Sequence, residues 1–347
     1  MSHISKLAGK TITLAHGAGG KAMRELIDEV FVKGFASPEL AGLEDQARFD
    51  LAELTAQGNR LAFTTDSYVV DPLFFPGGDI GKLAVTGTVN DLAMSGARPL
   101  YLSCGMILEE GFAIDELIEI VTSMKATADA AGVKIVTGDT KVVHKGAVDK
   151  CFINTAGVGV IPAQIQIAAT QAQVGDKIII NGFIGDHGAA IVDARGELVL
   201  ESSILSDCQP LHDLVQTMLK VCPQIHCLRD ATRGGVATVL NEFAQSSQVG
   251  IKLQNSVIPV RDEVRGMCEI LGLDPLYLAN EGKLVAVVPP EYADLLLATM
   301  RAHPAGLASA IIGEVKATPK ARVLLNTGFG GERLLDMLVG EQLPRIC

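Results

Sequence analysis

The sequence predicts an α/β (α+β) protein of two layered domains followed by a short tail. Three observations carry that expectation. Segments of strand period and helix period alternate along the chain. The alternation breaks off at an uncharged, glutamine-rich stretch from Pro162 to Gln173 and then restarts. The 347 residues also exceed the about 100 to 200 that one domain ordinarily holds. Composition shows what fills the cores: 48% of residues are hydrophobic but only 4% aromatic, with 36 glycines and no tryptophan, so small aliphatic side chains do the packing.

In order, Thr11 to His16 alternates like a short strand, and Lys21 to Phe31 carries Met23, Leu26, Ile27 and Val30 at helical spacing. Arg60 to Thr65 reads as a strand, Gly81 to Ser95 as a buried helix, Leu100 to Leu108 as a strand and Ile114 to Ala131 as an amphipathic helix. Strands follow at Lys134 to Thr137 and Cys151 to Val160. The second half opens with a strand from Asp176 to Asn181 and a glycine-bearing loop from Gly182 to Gly188. Helices are expected at Leu211 to Val221, Gly234 to Ala244 and Arg261 to Leu271. Strands at Lys283 to Val288, Ala310 to Val315 and Arg322 to Leu325 flank a helix from Glu291 to Met300. The tail from Asn326 holds Gly328, Gly330 and Gly331, a helical patch from Glu332 to Val339, and the terminal EQLPRIC.

With 29 basic and 40 acidic residues the net charge is −11, which opposes nucleic acid and anionic membranes. Seven cysteines at irregular spacing, and no apolar run in MSHISKLAGKT, point to reduced thiols in the cytoplasm. Cys151 to Gly175 contains no charge and is long enough to span a bilayer, but its polar residues favour a buried strand and a polar linker.

Several segments could carry chemistry. His16-Gly17-Ala18-Gly19-Gly20-Lys21 lies between an expected strand and helix, where free backbone amides can hold phosphate. It is not a Walker A loop, which needs glycine where Ala15 stands and serine or threonine where Ala22 stands; the alternative is a plain glycine-rich turn. Asp66, Asp91 and Asp139 follow apolar runs or sit in one, and their hard oxygens suit magnesium bound to nucleotide phosphates; each could equally be a turn or cap residue. Asp91, between Val89 and Leu92, needs partners. Asp139-Thr140-Lys141 sets a cation beside an acid, with His144 close behind. Arg229-Asp230-Ala231-Thr232-Arg233-Gly234-Gly235 and Ala279-Asn280-Glu281-Gly282-Lys283 are charged turns; Glu281 suits a general acid or base in a cleft, and otherwise sits in a surface turn. Cys222, His226 and Cys227 form only half of a zinc pattern. Cys347 ends the chain, where a residue is usually mobile, with Arg345 to favour its thiolate and the terminal carboxylate to oppose it; the alternative is an accidental terminal cysteine.

HGAGGK, TTDSYVVDPLFFPGGDIGKLAVTGTVNDLAMSGARP, GDTKVV, RDATRGG, ANEGK and the terminal PRIC together resemble the HypE family of hydrogenase-maturation carbamoyl dehydratases over nearly the whole chain. Most of these blocks occur more loosely across the aminoimidazole ribonucleotide synthetase-like superfamily; PRIC is the specific part. The resemblance implies a first domain (1–165) that binds ATP and joins its sheet to a second copy's as a barrel, a C-terminal α/β sandwich (166–325), and a flexible carrier tail (326–347). It implies that Asp66, Asp91, Asp139 and Asp230 organise Mg2+, with Thr140, Gly19, Gly20 and Lys21 near the phosphates. It further implies that Lys141 and Glu281 surround the reacting tail and that Cys347 is the carrier, with Glu281 or His144 taking a proton. The implied reaction is ATP-dependent conversion of a carboxamide on Cys347 to a thiocyanate, a source of cyanide for hydrogenase iron. The implied partners are the carbamoyltransferase HypF and the HypC-HypD iron scaffold. The alternatives are a purine-pathway synthetase, a thiamine-phosphate kinase, or a non-enzymatic nucleotide-binding scaffold for metallocentre assembly.

Overall fold

The computed structural model describes residues 6–41, 44, 46–196, 203–328, 330–340 and 343–347. The readings of the N-terminal MSHIS and of tail residues 329, 341 and 342 lie outside the described residues.

The first domain is a four-stranded sheet in the order β1-β6-β4-β5, with β1 Arg60–Tyr68, β4 Arg98–Glu109, β5 Lys134–Val143 and β6 Cys151–Ile161. A two-strand ribbon, β2 Phe74–Phe75 and β3 Gly78–Asp79, leads into the helix Ile80–Met94. Asp79 caps that helix, its Oδ1 accepting from the amides of Gly81 (2.7 Å) and Lys82 (3.1 Å). The helix is buried almost throughout because glycine lets it approach closely: a Cβ on Gly87 would stand 2.3 Å from the Tyr68 hydroxyl. This helix and Ile114–Ala130 cover one face of the sheet. The other face is bare along β1, where Leu61 is 59% and Phe63 72% exposed.

The second domain is a seven-stranded sheet, β13-β12-β9-β11-β7-β10-β8. Its strands are β7 Lys177–Ile180, β8 Cys227–Asp230, β9 Gly250–Gln254, β10 Leu284–Val288, β11 Ala310–Lys316, β12 Arg322–Asn326 and β13 Glu332–Leu335. Alternation along β10 sends Val285 and Val287 toward the helix Gly235–Ser247, and Leu284, Ala286 and Val288 toward His212–Val221 and Pro290–Arg301.

Several expectations are corrected. Thr11 to His16 forms only a bridge at Thr11, then a short helix Leu14–Gly17, because the His16 ring Nδ1 accepts from the Thr13 amide at 2.9 Å and closes a turn. Glu332 to Val339 is not helical: Glu332–Leu335 pairs antiparallel with β12 and buries Leu335. The strand expected to end at Thr137 continues to Val143 as β5, and Gly138 within it is a position where a Cβ would lie 2.3 Å from the Cys104 carbonyl. The Gly182 to Gly188 loop gives way at Asp186 to a helix, Asp186–Ala194. No helix among the described residues is long and apolar enough to cross a membrane.

Candidate active site

The chain end folds back between the two domains. Cys347, expected to be mobile, is buried at 6% exposure, and its backbone continues the edge of the segment that follows β1: the amides of Val69 and Asp71 donate to the Cys347 terminal carboxylate (3.1 Å) and the Arg345 carbonyl (3.3 Å). The cation on its sulfur is not Arg345 but Arg233, whose Nε lies 3.0 Å from Sγ. Arg345 turns away and donates to the Val69 carbonyl (3.0 Å) and to Asp149 (2.5 Å). Burial, reinforced by the nearby Glu281, pushes the Cys347 thiol up to about 12 against the pull of Arg233. The docked sulfur is therefore a neutral thiol.

Ala279-Asn280-Glu281-Gly282-Lys283, expected at the surface if not catalytic, is an interior turn in which Asn280, Glu281 and Lys283 are all buried. Asn280 fixes it by accepting from the Gly185 amide (2.7 Å) and donating to the carbonyls of Ala231 and Leu278 (2.9 Å each). Asp207 holds the next step: its carboxylate accepts from the amides of Glu281 (3.0 Å) and Gly282 (3.2 Å) and from Lys283 Nζ (2.8 Å). Glycine at 282 is required by this contact, since a Cβ there would sit 1.9 Å from the Asp207 carbonyl oxygen. The Glu281 side chain has a buried Oε1 with no hydrogen-bond partner. Burial, then the charges of Asp207, Asp230 and Asp66, raise its carboxyl well above the ordinary carboxylate range against the pull of Arg233.

Beside this pocket a cleft of about 730 Å³ opens between β1 and β8, lined by Thr64, Asp91, Arg229, Asp230 and Thr232 with apolar walls such as Phe63 and Phe243. Asp91 accepts from Thr64 Oγ1 at 2.8 Å, and burial raises its carboxyl. Asp230 is pushed up to about 7 by burial and then by Asp91, with Arg229 opposing. Asp66, on β1, acts electrostatically on Asp91, Asp230, Glu281 and Cys347. Arg229 only partly offsets Asp91 and Asp230, and their hard oxygens suit magnesium. Among the described residues no three His, Cys, Asp or Glu groups gather to hold a metal, but magnesium bound with nucleotide phosphates needs only one or two protein carboxylates. Asp91 and Asp230 fit that requirement.

The remaining candidates sit elsewhere within one chain. Residue pairing across the sheet runs Asp66–Thr155–Cys104–Gly138, so Asp139 lies three strand spacings, about 14 Å, from Asp66. Asp139 and Lys141 pair at 2.7 Å and are 64% and 65% exposed; His144 is 81% exposed, 3.9 Å from Glu110. The glycine-rich loop joins this second group: a Cβ on Gly17 would meet Val142, and Gly19 and Gly20 face open space before Lys21 starts its helix. Thr140 is buried and lines, with Asp139, a pocket of about 150 Å³ under the 21–35 helical stretch. A single chain thus brings Cys347, Glu281, Asp66, Asp91 and Asp230 together and leaves Asp139, Thr140, Lys141, His144, Gly19, Gly20 and Lys21 on the opposite sheet edge. His226 is paired with Asp176 at 2.7 Å, as part of the linker.

Sequence reasoning missed Arg233, Asp207, His187 and Arg195. Arg233 stood inside a motif that was singled out, but only for its carboxylate. Asp207, His187 and Arg195 lie in segments without a motif, and nothing local marks them.

Two family models match the chain: AIR synthase related protein, N-terminal domain, over residues 44–161, and AIR synthase related protein, C-terminal domain, over 173–326. The chain is 56% identical over 341 residues to the carbamoyl dehydratase HypE of Rhodobacter capsulatus, covering 98% of this chain and 99% of that one. It matches a crystal structure of hydrogenase maturation protein HypE in complex with ATP at TM-score 0.92 and 50% identity, covering 97% of this chain and 100% of that one. It also matches a crystal structure of a HypE-HypF complex at TM-score 0.78 and 47% identity, covering 90% and 99%.

Proposed function

The chain belongs to the HypE carbamoyl dehydratase family, and from that premise we propose that it dehydrates, at the expense of ATP, a carboxamide carried on its own Cys347. The observation that carries the proposal is the buried Cys347 thiol beside Arg233 and a buried Glu281 whose Oε1 has no hydrogen-bond partner. HypF loads the carboxamide, and the thiocyanate formed is passed through HypC-HypD to hydrogenase iron. The free cysteines fit work in the reducing cytoplasm. Residues 1–165 serve nucleotide binding and dimerisation, 166–325 frame the tail, and 326–347 carry the substrate.

The overall step is R–S–C(O)NH2 + ATP → R–S–C≡N + ADP + phosphate + H+. The amide oxygen is a poor leaving group; taking the γ-phosphoryl group, with one N–H proton released to solvent, makes it part of an O-phosphorylated imidate, and the carbon–oxygen bond then breaks as the second N–H proton is lost. A neutral carboxyl matches a carboxamide on both atoms: Glu281 accepts from the amide N–H through the free Oε1 while its O–H donates to the amide oxygen. As the carbon–oxygen bond breaks, Glu281 takes the N–H proton on one oxygen and gives its own to the departing phosphate oxygen, so no charge is left on a buried carboxyl. Arg233 and Lys141 offset charge gathering on the phosphoryl group. Asp91, Asp230 and Asp66 would hold Mg2+ with the nucleotide phosphates; magnesium there supplies charge neutralisation.

Lys141 and Asp139 reach this site from a second copy. The bare face of the four-stranded sheet, with Leu61 and Phe63 on β1, supports burial against a partner, and an edge-to-edge barrel would bring the β5 edge of one chain to the β1 edge of the other. Intact mass spectrometry tests the function: after incubation with HypF, carbamoyl phosphate and ATP, a carbamoyl-sized gain on Cys347 becomes a cyano-sized one. No modification of Cys347 would sink it.

A further inference from the structure

The last four residues are bound in a way that makes no use of their covalent link to the rest of the chain. Their backbone oxygens accept from the body: the carbonyls of Pro344 from Arg195 (2.6 Å), Arg345 from Arg195 (2.9 Å) and the Asp71 amide (3.3 Å), and Ile346 from His187 Nε2 (2.7 Å), and the Cys347 terminal carboxylate from the Val69 amide (3.1 Å). The side chains are read as well. Arg345 takes the Val69 carbonyl and Asp149, with its guanidinium 5.9 Å from the Phe152 ring centre; Ile346 is buried; and Cys347 Sγ meets Arg233.

The groups that do the reading are themselves held by the body. Arg195 Nε donates to the Asp71 carbonyl at 2.9 Å, and the His187 ring, fully buried, is bonded through Nδ1 to Ser206 (2.8 Å) and meets Phe75 edge-on at 5.5 Å. Ser206 is tied in turn by its amide to the Pro76 carbonyl at 2.8 Å. A site in which Arg195 and His187, which read three of these four backbone oxygens, are fixed by contacts outside the tail is preorganised at those positions. Backbone carbonyl recognition with one basic anchor is the chemistry of a peptide-binding groove.

We infer that this cradle is a binding site for free peptides ending in Pro-Arg-Ile-Cys, and that the enzyme converts an S-carbamoylated peptide of that sequence supplied in trans. The catalytic half rests on the dehydratase reading above and uses the same balanced equation; the binding half does not. In the intact chain the tethered tail competes at an effective concentration on the order of millimolar. The cradle must therefore be vacated before a free peptide can enter.

The test uses the full-length chain carrying Ile346→Asp and Cys347→Ser, which sets a charge in a buried apolar position and ejects the tail. A fluorescently labelled Leu-Pro-Arg-Ile-Cys peptide should bind this variant saturably by anisotropy. Binding should be at least tenfold weaker to the unmodified chain, to the variant that also carries Arg195→Ala, and with a peptide bearing Glu in place of Arg. Amide exchange at Val69 and Asp71 should quicken in the tail-ejected chain and slow again with peptide, a readout that also reports folding. With ATP, the S-carbamoyl peptide should convert to the thiocyanate by mass spectrometry. Absence of saturable binding, or binding indifferent to Arg195→Ala and to the Glu substitution, overturns the site. Binding to the tail-ejected variant without conversion, where the unmodified chain converts its own carbamoylated tail under the same conditions, overturns activity in trans. Binding without conversion of either tail or peptide sinks the dehydratase reading and leaves the peptide site standing.

Discussion

The two edges of the four-stranded sheet carry similar side chains in opposite surroundings. At the β1 edge, Asp66 borders a set, Asp91, Asp230, Glu281 and Cys347, in which burial first and neighbouring acidic groups second raise each group toward its neutral form. At the β5 edge, Asp139 and Lys141 form a solvent-exposed ion pair, an arrangement worth at most about 1 kcal/mol to stability. The contrast teaches that residue type selects candidates but desolvation assigns roles. A carboxyl buried without a cation becomes an acid able to pair with an amide, whereas a carboxylate beside an exposed lysine is waiting for a partner. The first edge gathers its groups within one chain; the second, on the function proposed above, would complete the site of a second copy.

The sharpest way to break that contrast is at Glu281. Glu281→Gln keeps the shape of the side chain but removes proton exchange, and is expected to slow thiocyanate formation from a carbamoylated tail by about 10² to 10⁴-fold, measured in a single turnover, with carbamoyl loading intact. Full cyanation by this variant would remove Glu281 from the chemistry. The β5 edge is tested by mixing. Lys141→Ala and Glu281→Gln chains, each inactive alone, should regain about half the activity of the unmodified dimer per hybrid, because one of the two sites then has both its own Glu281 and the other chain's Lys141. If Lys141 served its own chain, every hybrid site would stay dead. Phe63→Asp, which charges the bare face, should yield a monomer by light scattering and abolish this rescue.

How legible these two regions were follows from physical range. The element order and the helix Ile80–Met94 were readable because periodicity and a long apolar run are local signals. Cys347, Glu281, Asp91 and Asp230 were named from motifs. What could not be read was which of them meet. The strand order β1-β6-β4-β5 is what separates Asp66 from Asp139, and no spacing in sequence encodes it. Arg233 beside the sulfur, and Asp207 beneath the Glu281 turn, depend on a docked tail and on a segment crossing between domains. Gly138 shows the same limit, since what requires glycine there is the close approach of β4, 34 residues earlier in the chain at Cys104.

A smaller effect sharpens the buried side of the comparison. With its thiol pushed up to about 12, docked Cys347 is expected to react with iodoacetamide at neutral pH at least about a hundredfold more slowly than the same cysteine in a free peptide. Ile346→Asp should restore the peptide rate by releasing the tail. Rapid alkylation of the unmodified chain would mean that the tail spends most of its time undocked, and quantitative mass spectrometry of the C-terminal peptide measures it directly.

The smallest effect belongs to the exposed side. Glu39 accepts from Ser37 Oγ (2.7 Å) and from Lys134 Nζ (2.9 Å) at the start of β5, and these two contacts, the Ser37 hydrogen bond first, lower its carboxyl to about 2. Because the folded value lies below the ordinary carboxylate value of 4.5, the unfolded chain binds the proton more readily. The contribution to stability is therefore fully present above that ordinary value and is lost as pH falls through about 2. Glu39→Gln should cost no more than about 1 kcal/mol at neutral pH, with the difference from the unmodified chain shrinking as urea unfolding is repeated at decreasing pH, and shrinking also in high salt. A cost that persisted unchanged at low pH would assign the role of Glu39 to packing rather than to charge, and would show that the β5 edge is held by the same desolvated contacts as the β1 edge.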